Sequence, residues 1–510
     1  MSRDVEHFSS SQREMTHIRK RRKRALILFV FVVALVFLAS LFVQKTLKFE
    51  SEIDHFQHGS IGSETRSGLP RDFWLALPHL YPEAFDHRPD FRAFGFLYRT
   101  DSSEHSLPIG VSQRRVTGID MVWLNCASCH TGSYKTSAEG QSIIVPGMPA
   151  NQLELSRFTK FVLSISNDEL EADKVFDAME KAGQSKNWIE RQFWRIIVLP
   201  RIRSGLDDLN NQLSPLLIEQ PDWGIGRVDT FNPYKMTQFD MKIAEIELSE
   251  RVGASDFPSI FNQKPREGMQ LHWDGNNASL KERNLSEALG AGVFPDAVDD
   301  RSVNRVAEWI LQLSPPRNPN RPDPGQAYSS DVRNGQTLYM SNCAACHGYF
   351  DLDKNSYIFK GKFLGYVEPI EKIDTDRNRL DSYTEAFRKR QLNELFAGTE
   401  HQFKAFTKTD GYANGPLDGL WLRGPYLHNG SVPTLFDLLN PKHERPTHFM
   451  RDSNVLDFEK GGFISNPCID RKTRNCFDTN IKGNSNRGHE YGTQLSENER
   501  RQILEYLKTF

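Results

Sequence analysis

The chain has 510 residues, with 64 Lys and Arg against 66 Asp and Glu, a formal net charge of −2. Residues 1–24 hold eight basic and three acidic side chains, so the remainder carries about −7. No basic block follows them, which leaves no case for nucleic-acid binding.

Arg19 to Arg24 read RKRRKR and precede an uninterrupted apolar run, Ala25 to Val43. Nineteen residues make about 28 Å of helix, roughly one hydrocarbon core. The run is expected to be a single transmembrane helix, with 1–24 as a cytoplasmic basic segment and everything after Gln44 on the far side. A cleaved signal peptide is the competing reading, but no clean A-x-A-like site closes the run.

A five-residue pattern then occurs twice. It reads Cys126-Ala-Ser-Cys129-His130 and, 217 positions later, Cys343-Ala-Ala-Cys346-His347. Cys-x-x-Cys-His is the attachment pattern of c-type haem. Two thiols three positions apart reach the two vinyl groups of one porphyrin, and the next His becomes an axial iron ligand. A thioredoxin-like pair needs neither the His nor a second copy. A Cys₄ zinc site would leave both His unexplained. Two covalently bound haem c groups are therefore expected, on Cys126, Cys129 and His130 and on Cys343, Cys346 and His347. In bacteria that attachment happens outside the cytoplasm, so anchor and motifs agree on a single-pass inner-membrane protein with its haem domains in the periplasm.

Helical stretches are expected at Asn151–Ser166, Asp168–Ala182 and Asn187–Ile197, and strand-like alternation is sparse. Ser314 to Gln326 holds five prolines and no apolar periodicity, and reads as a linker. Asp331 to Met340 has helical character and leads into the second motif. Ser496 and Glu499 form a capping box for a last helix, with Ile503, Leu504 and Leu507 on one face. The fold class is thus mainly α: two cytochrome c-like haem domains with long loops, preceded by the transmembrane helix. The first domain is 45–313, the linker 314–327 and the second domain 328–510. Cys468 and Cys476 lie in one loop-like stretch and could close a small disulfide.

The sixth ligand of each iron decides between electron carrier and catalyst. His489, in GNSNRGHEYGTQL before the last helix, is the candidate for the second iron. His428, in RGPYLHNGSVPTL, is placed to line that haem or bond a propionate. Met340 and Met450 are weaker options. For the first iron, His272 is a candidate distal acid–base group or sixth ligand, and Trp273 a candidate electron relay. Met148 and Met269 are further options there. The bland alternative for His272 and Trp273 is a solvent-facing His and a packed interface Trp.

Taken in order, CASCH, HWDGNN, CAACH, RGPYLHNGSVPTLFDLL and GHEYGTQLSENERRQILEYLKTF resemble the di-haem bacterial cytochrome c peroxidase superfamily, closest to its rubber-oxygenase-like branch. HGSIGSE at His58–Glu64 also looks like the start of such proteins. The resemblance covers roughly 56–510. It implies a peroxidatic first haem, a second haem where electrons enter, and Trp273 between them. His428 then matches the His of a Tyr-x-His-x-Gly motif, and His489 the distal ligand of the second haem. Peroxidases of this group keep a Glu some twenty residues after the WDG motif; here Glu287 is the nearest and lies out of register. Ala288, Leu289 and Val293 supply small or aliphatic side chains instead. Some relatives hold calcium between their domains, and the sequence shows no motif for it.

The leading expectation is peroxide reduction at the first haem, with electrons entering through the second from a small periplasmic cytochrome or cupredoxin. The rivals are a dioxygen-activating oxygenase of an apolar substrate and a non-enzymatic electron carrier with both irons capped.

Overall fold

The computed structural model describes residues 19–29, 31–32, 45–100 and 106–510. Helix makes up 41% and strand 12%. The expected membrane anchor is overturned: among the described residues no helix is long and apolar enough to cross a membrane. The helix at 19–29 takes in all six basic residues of RKRRKR and is exposed throughout. Residues 1–18, 30 and 33–44, which include much of the expected span, lie outside the described residues. The inner-membrane placement that rested on that anchor goes with it.

Strands are short but more numerous than the sequence pattern suggests. A four-stranded antiparallel sheet runs in the order Lys45–Thr46, Val111–Val116, Ile119–Leu124, Leu69–Pro70. Its central hairpin turns at Thr117 and Gly118, both at positive φ (47° and 81°), which matches the right-handed twist of paired strands. The hairpin's last strand delivers Asn125 to the first haem motif. Asn125 is buried, and its side chain accepts from the Ala127 N–H at 3.0 Å, capping the four-residue helix Cys126–Cys129. A second hairpin, Thr131–Tyr134 with Ile143–Pro146, leaves the motif on its other side.

A phenylalanine-rich core holds this region. Trp74 stacks on Phe91 at 4.3 Å, and Phe85 meets Phe91, Phe94 and Phe161 edge-on at 5.1–5.2 Å. Such edge-to-face pairs each add about 0.5–1.5 kcal/mol beyond area burial. Against it pack the helices Leu155–Ser164 and Ala172–Lys181, inside the expected stretches but shorter at both ends. The third expected helix starts at Trp188 under an Asn187–Glu190 capping box. It passes through a π-helical turn, Trp194–Val198, and continues as Leu199–Glu219. Pro200 follows just after this π-helical turn, in which the Leu199 N–H donates to the Trp194 carbonyl.

In the second half, Ser330–Asn342 and the terminal helix Glu497–Leu507 cross. The crossing is close at Gly335, where a Cβ would run into the Gln502 carbonyl and press on Tyr506. Ile503, Leu504 and Leu507 are buried there, and the Ser496–Glu499 capping box forms. The proline-rich stretch is fastened to this end of the chain. Asn318 Nδ2 donates to the carbonyls of Lys508 (2.8 Å) and Phe510 (3.0 Å), and Arg321 Nε to Thr509 (2.6 Å). A further core joins both halves, packing Phe231, Tyr234 and Leu289 with Tyr383, Phe387 and Phe406. Cys468 and Cys476 form a disulfide.

Candidate functional site

Each haem motif places its two cysteines and its histidine on one short helical turn, where positions three and four apart share a face. The four thiols are unbridged. Burial pushes those of Cys126, Cys129 and Cys343 up to about 12, and raises Cys346 as well. That is the reverse of a reactive redox pair, whose thiols are depressed and accessible.

Both motif histidines are oriented in the same way. His130 Nδ1 lies 2.9 Å from the Pro258 carbonyl, and His347 Nδ1 lies 2.8 Å from the Gly415 carbonyl. A carbonyl only accepts, so Nδ1 carries the hydrogen and Nε2 keeps its lone pair. A second-shell carbonyl on a ligating imidazole does this in many metal sites.

The two surroundings then diverge. Opposite His347 stands His489, with ring centroids 6.1 Å apart. Metal–imidazole bonds run about 2 Å, so two rings sharing one metal through Nε2 would have centroids roughly 6 Å apart. His489 is held by its own N–H donating to the Ile373 carbonyl (2.8 Å) and sits at a left-handed φ of 50°. Burial, helped by His347 and Arg445, pushes its pKa down to about 3, so the ring is neutral near pH 7. This pair fits a haem whose two axial positions are both filled.

Opposite His130 no second imidazole closes in the same way. Glu287 stands there, Oε2 3.6 Å from His130 Nε2 and Oε1 3.5 Å from His272 Nε2. Burial works to raise the Glu287 carboxyl, while His130 and His272, in their protonated forms, hold it well below the usual carboxylate range. It comes from the helix Leu280–Gly290, capped by Ser279. Glu287 is thus the residue that counting along the chain set aside, and folding brings it over the first motif. His272 Nδ1 lies 2.6 Å from Asn276 Oδ1, which aims Nε2 at Glu287. His272 adopts φ 66°, a left-handed conformation that is uncommon outside glycine and is found at functional sites.

His130, His272, Trp273 and Glu287 all line one cavity of about 840 Å³, together with Cys126 and Cys129. A drug-sized ligand site spans about 300–1,000 Å³. Arg379 also reaches it; its guanidinium is buried and paired to Asp274 at 3.1 Å, while Nε has no partner. That one unpartnered N–H on the wall can donate to a propionate. Thiols, oriented imidazole and cavity together fit a covalent haem. No sequence motif marked Arg379.

Trp273 lines the first cavity and packs against Ile370, Leu380 and Tyr412. Its Nε1–H donates to the Asp256 carbonyl (2.8 Å), and the Asp256 N–H donates to the His428 carbonyl (2.9 Å). His428 is buried, stacks on Tyr412 at 4.0 Å and shares a 2.9 Å hydrogen bond with its hydroxyl. It does not line the first cavity. Met148 packs with Phe261 and Trp421 in an apolar cluster and does not line the first cavity. Met340 is 44% exposed at the surface. Leu289 lines the first cavity, while Ala288 and Val293 are core residues. Among the described residues no group of three or more His, Cys, Asp or Glu is set to hold a metal ion, calcium included.

Residues 411–450 match the family described as RoxA-like, cytochrome c-like. That stretch contains Tyr412 and His428. The match implies haem c and a haem-related oxidoreductase or electron-transfer role. Two proteins of Sinorhizobium fredii are similar to the chain. Uncharacterized protein y4iJ is 26% identical over 477 residues, 76% of this chain and 76% of its own length. Uncharacterized protein y4iM is 28% identical over 298 residues, 50% of this chain and 64% of its own length. The family match supports the RoxA-like side of the resemblance and does not confirm the wider peroxidase superfamily.

Proposed function

We propose that the chain is a di-haem c-type oxidoreductase that reduces peroxide at the first haem, held by Cys126, Cys129 and His130 in the unit 45–313. Electrons enter through a second haem, held by Cys343, Cys346, His347 and His489 in the unit 328–510. The observation that carries this reading is the contrast between the two motifs: His489 closes on His347, whereas His130 faces Glu287, His272 and an open cavity.

Bound haem supplies the iron that takes part in O–O cleavage and the electrons' path to it. The chain's own part is proton handling and placement. Reduction of peroxide to two waters consumes two protons and two electrons. Glu287 and His272 face the same side of the cavity. The Glu287 carboxylate can take the proton of the near peroxide oxygen. His272, once protonated from solvent at Nε2 as well, can give that proton to the departing oxygen, which leaves as water. The proton on Glu287, one more from solvent and the two electrons complete the second water. Asn276 Oδ1 accepts from His272 Nδ1–H and so keeps Nε2 turned toward Glu287. Trp273 and its hydrogen-bonded link through Asp256 to His428 give the relay a rigid mount. The donor is a small soluble redox protein such as a cytochrome or cupredoxin.

Glu287→Gln tests this. It keeps shape and removes the base, so peroxide turnover with a reduced donor is expected to fall about 10²–10⁴-fold with the visible haem spectrum unchanged. Turnover within twofold of the parent would contradict the reading.

A second reading, dioxygen activation for cleavage of an apolar substrate, is favoured by the cavity's size and its largely apolar walls and by the RoxA-like match. Gly205 separates the two. It lies on the cavity wall with nothing within 4 Å of where a Cβ would stand. Gly205→Trp is expected to leave turnover of hydrogen peroxide within a factor of two; a bulky apolar substrate would be shut out.

A further inference from the structure

The stretch from Trp188 to Arg203 is apolar on both of its faces. Trp194, Val198, Leu199 and Ile202 point into the core. Trp188 (73% exposed), Ile189 (71%), Phe193, Ile196 (66%) and Ile197 point to solvent. A surface helix in water ordinarily keeps its outer face polar. Singly exposed apolar residues mean little, but five on one helical stretch form a patch. The π-helical turn at Trp194–Val198 shifts the helical register here, and Ile196 and Ile197 both stand outside.

The charges along this stretch are mostly basic. Between Lys186 and Arg203 there are five basic residues and one acidic residue, Glu190. Arg191 and Arg195 pair with Glu180 and Asp173 of the neighbouring helix, and Lys186 pairs with Asp72. Arg201 and Arg203 are exposed and have no ion-pair partner among the described residues. Exposed Trp, Ile and Phe flanked by unpaired arginines is the chemistry of a helix that lies in the plane of an anionic lipid surface.

The patch is also continuous with the cavity. Val198, Arg201, Ile202 and Gly205 follow it on the same helix and line the cavity wall. Thr117, on the facing hairpin, lines it too, and Thr117, Arg201 and Gly205 are all exposed, which marks them as the mouth.

We propose that residues 188–203 form a peripheral docking face for an anionic bilayer, seating the mouth of the His130 cavity at the lipid surface. This contact is independent of residues 25–43 and of which reaction the haems perform.

The test uses the full chain with its haems, carrying a nitroxide at Ile196→Cys or, as a second variant, at Ile189→Cys. A control label is placed at Lys354→Cys, exposed on the other half of the molecule. Collision with oxygen, which concentrates in lipid, is compared with collision with a water-soluble nickel chelate. Vesicles of phosphatidylglycerol with phosphatidylcholine are set against phosphatidylcholine alone. The expected result is a several-fold rise in the oxygen-to-nickel ratio at 196 and 189 on anionic vesicles only, with no change at 354. Reversing Arg201→Glu and Arg203→Glu together is expected to abolish that rise. Labels that stay water-accessible on both vesicle types would overturn the proposal. So would labels already shielded before lipid is added, which would mean that a second copy or residues 25–43 cover the face. Equal insertion into both vesicle types would overturn the assignment to an anionic surface.

Discussion

Asp256 holds the two motif surroundings together. Its carboxylate is buried against Arg451 at 3.1 Å and Arg227 at 3.8 Å, its carbonyl accepts from Trp273, and its N–H donates to His428. Asp256→Ala would leave two buried guanidinium groups without their counter-charge. Breaking a buried pair from one side costs about 3–5 kcal/mol, so denaturant unfolding is expected to show a loss of that size. A loss below about 1 kcal/mol would mean that the two arginines find water or other acceptors. Residue by residue, the two Cys-x-x-Cys-His motifs could be picked out because the pattern is local, and the structure adds how each motif His is oriented. Glu287 was not, because its role depends on how the helix Leu280–Gly290 is set across the cavity, which no count from Trp273 reveals. Arg379 was invisible for the same reason: it lies 249 positions from His130 and meets the cavity only through the fold.

Between elements, the crossing of Ser330–Asn342 with Glu497–Leu507 closes the second unit behind the Cys343 motif. Gly335 permits it, since any side chain there meets the Gln502 backbone. Gly335→Val is expected to destabilise by about 1–3 kcal/mol, the range for overpacking a filled site, seen as a lower thermal midpoint. An unchanged midpoint would show that the helices can slide apart freely. Both helices were readable from apolar spacing and from Ser496 with Glu499. The short strands were not, since two to six residues cannot display a period. The apolar run at 25–43 met the length criterion for a membrane span. Among the described residues, however, no helix is long and apolar enough to cross a bilayer, and 30 and 33–44 lie outside the described residues.

At the scale of the whole molecule, the account asks for asymmetry: one iron closed by two histidines, the other open toward Glu287, His272 and the cavity. Trp273 is the proposed relay between them, and the core of Phe231, Leu289, Tyr383 and Phe406 packs residues from both halves of the chain together. A rigid pair of unlike centres is what separates electron uptake from chemistry. Carbon monoxide titration of the fully reduced chain, followed by its visible spectrum, tests that asymmetry directly. The account predicts one carbon monoxide bound per two haems, rising to two when His489→Ala opens the second iron. No binding would mean that both irons are capped and that the chain is an electron carrier; two bound without any substitution would mean that His489 does not ligate, and either result would contradict the account.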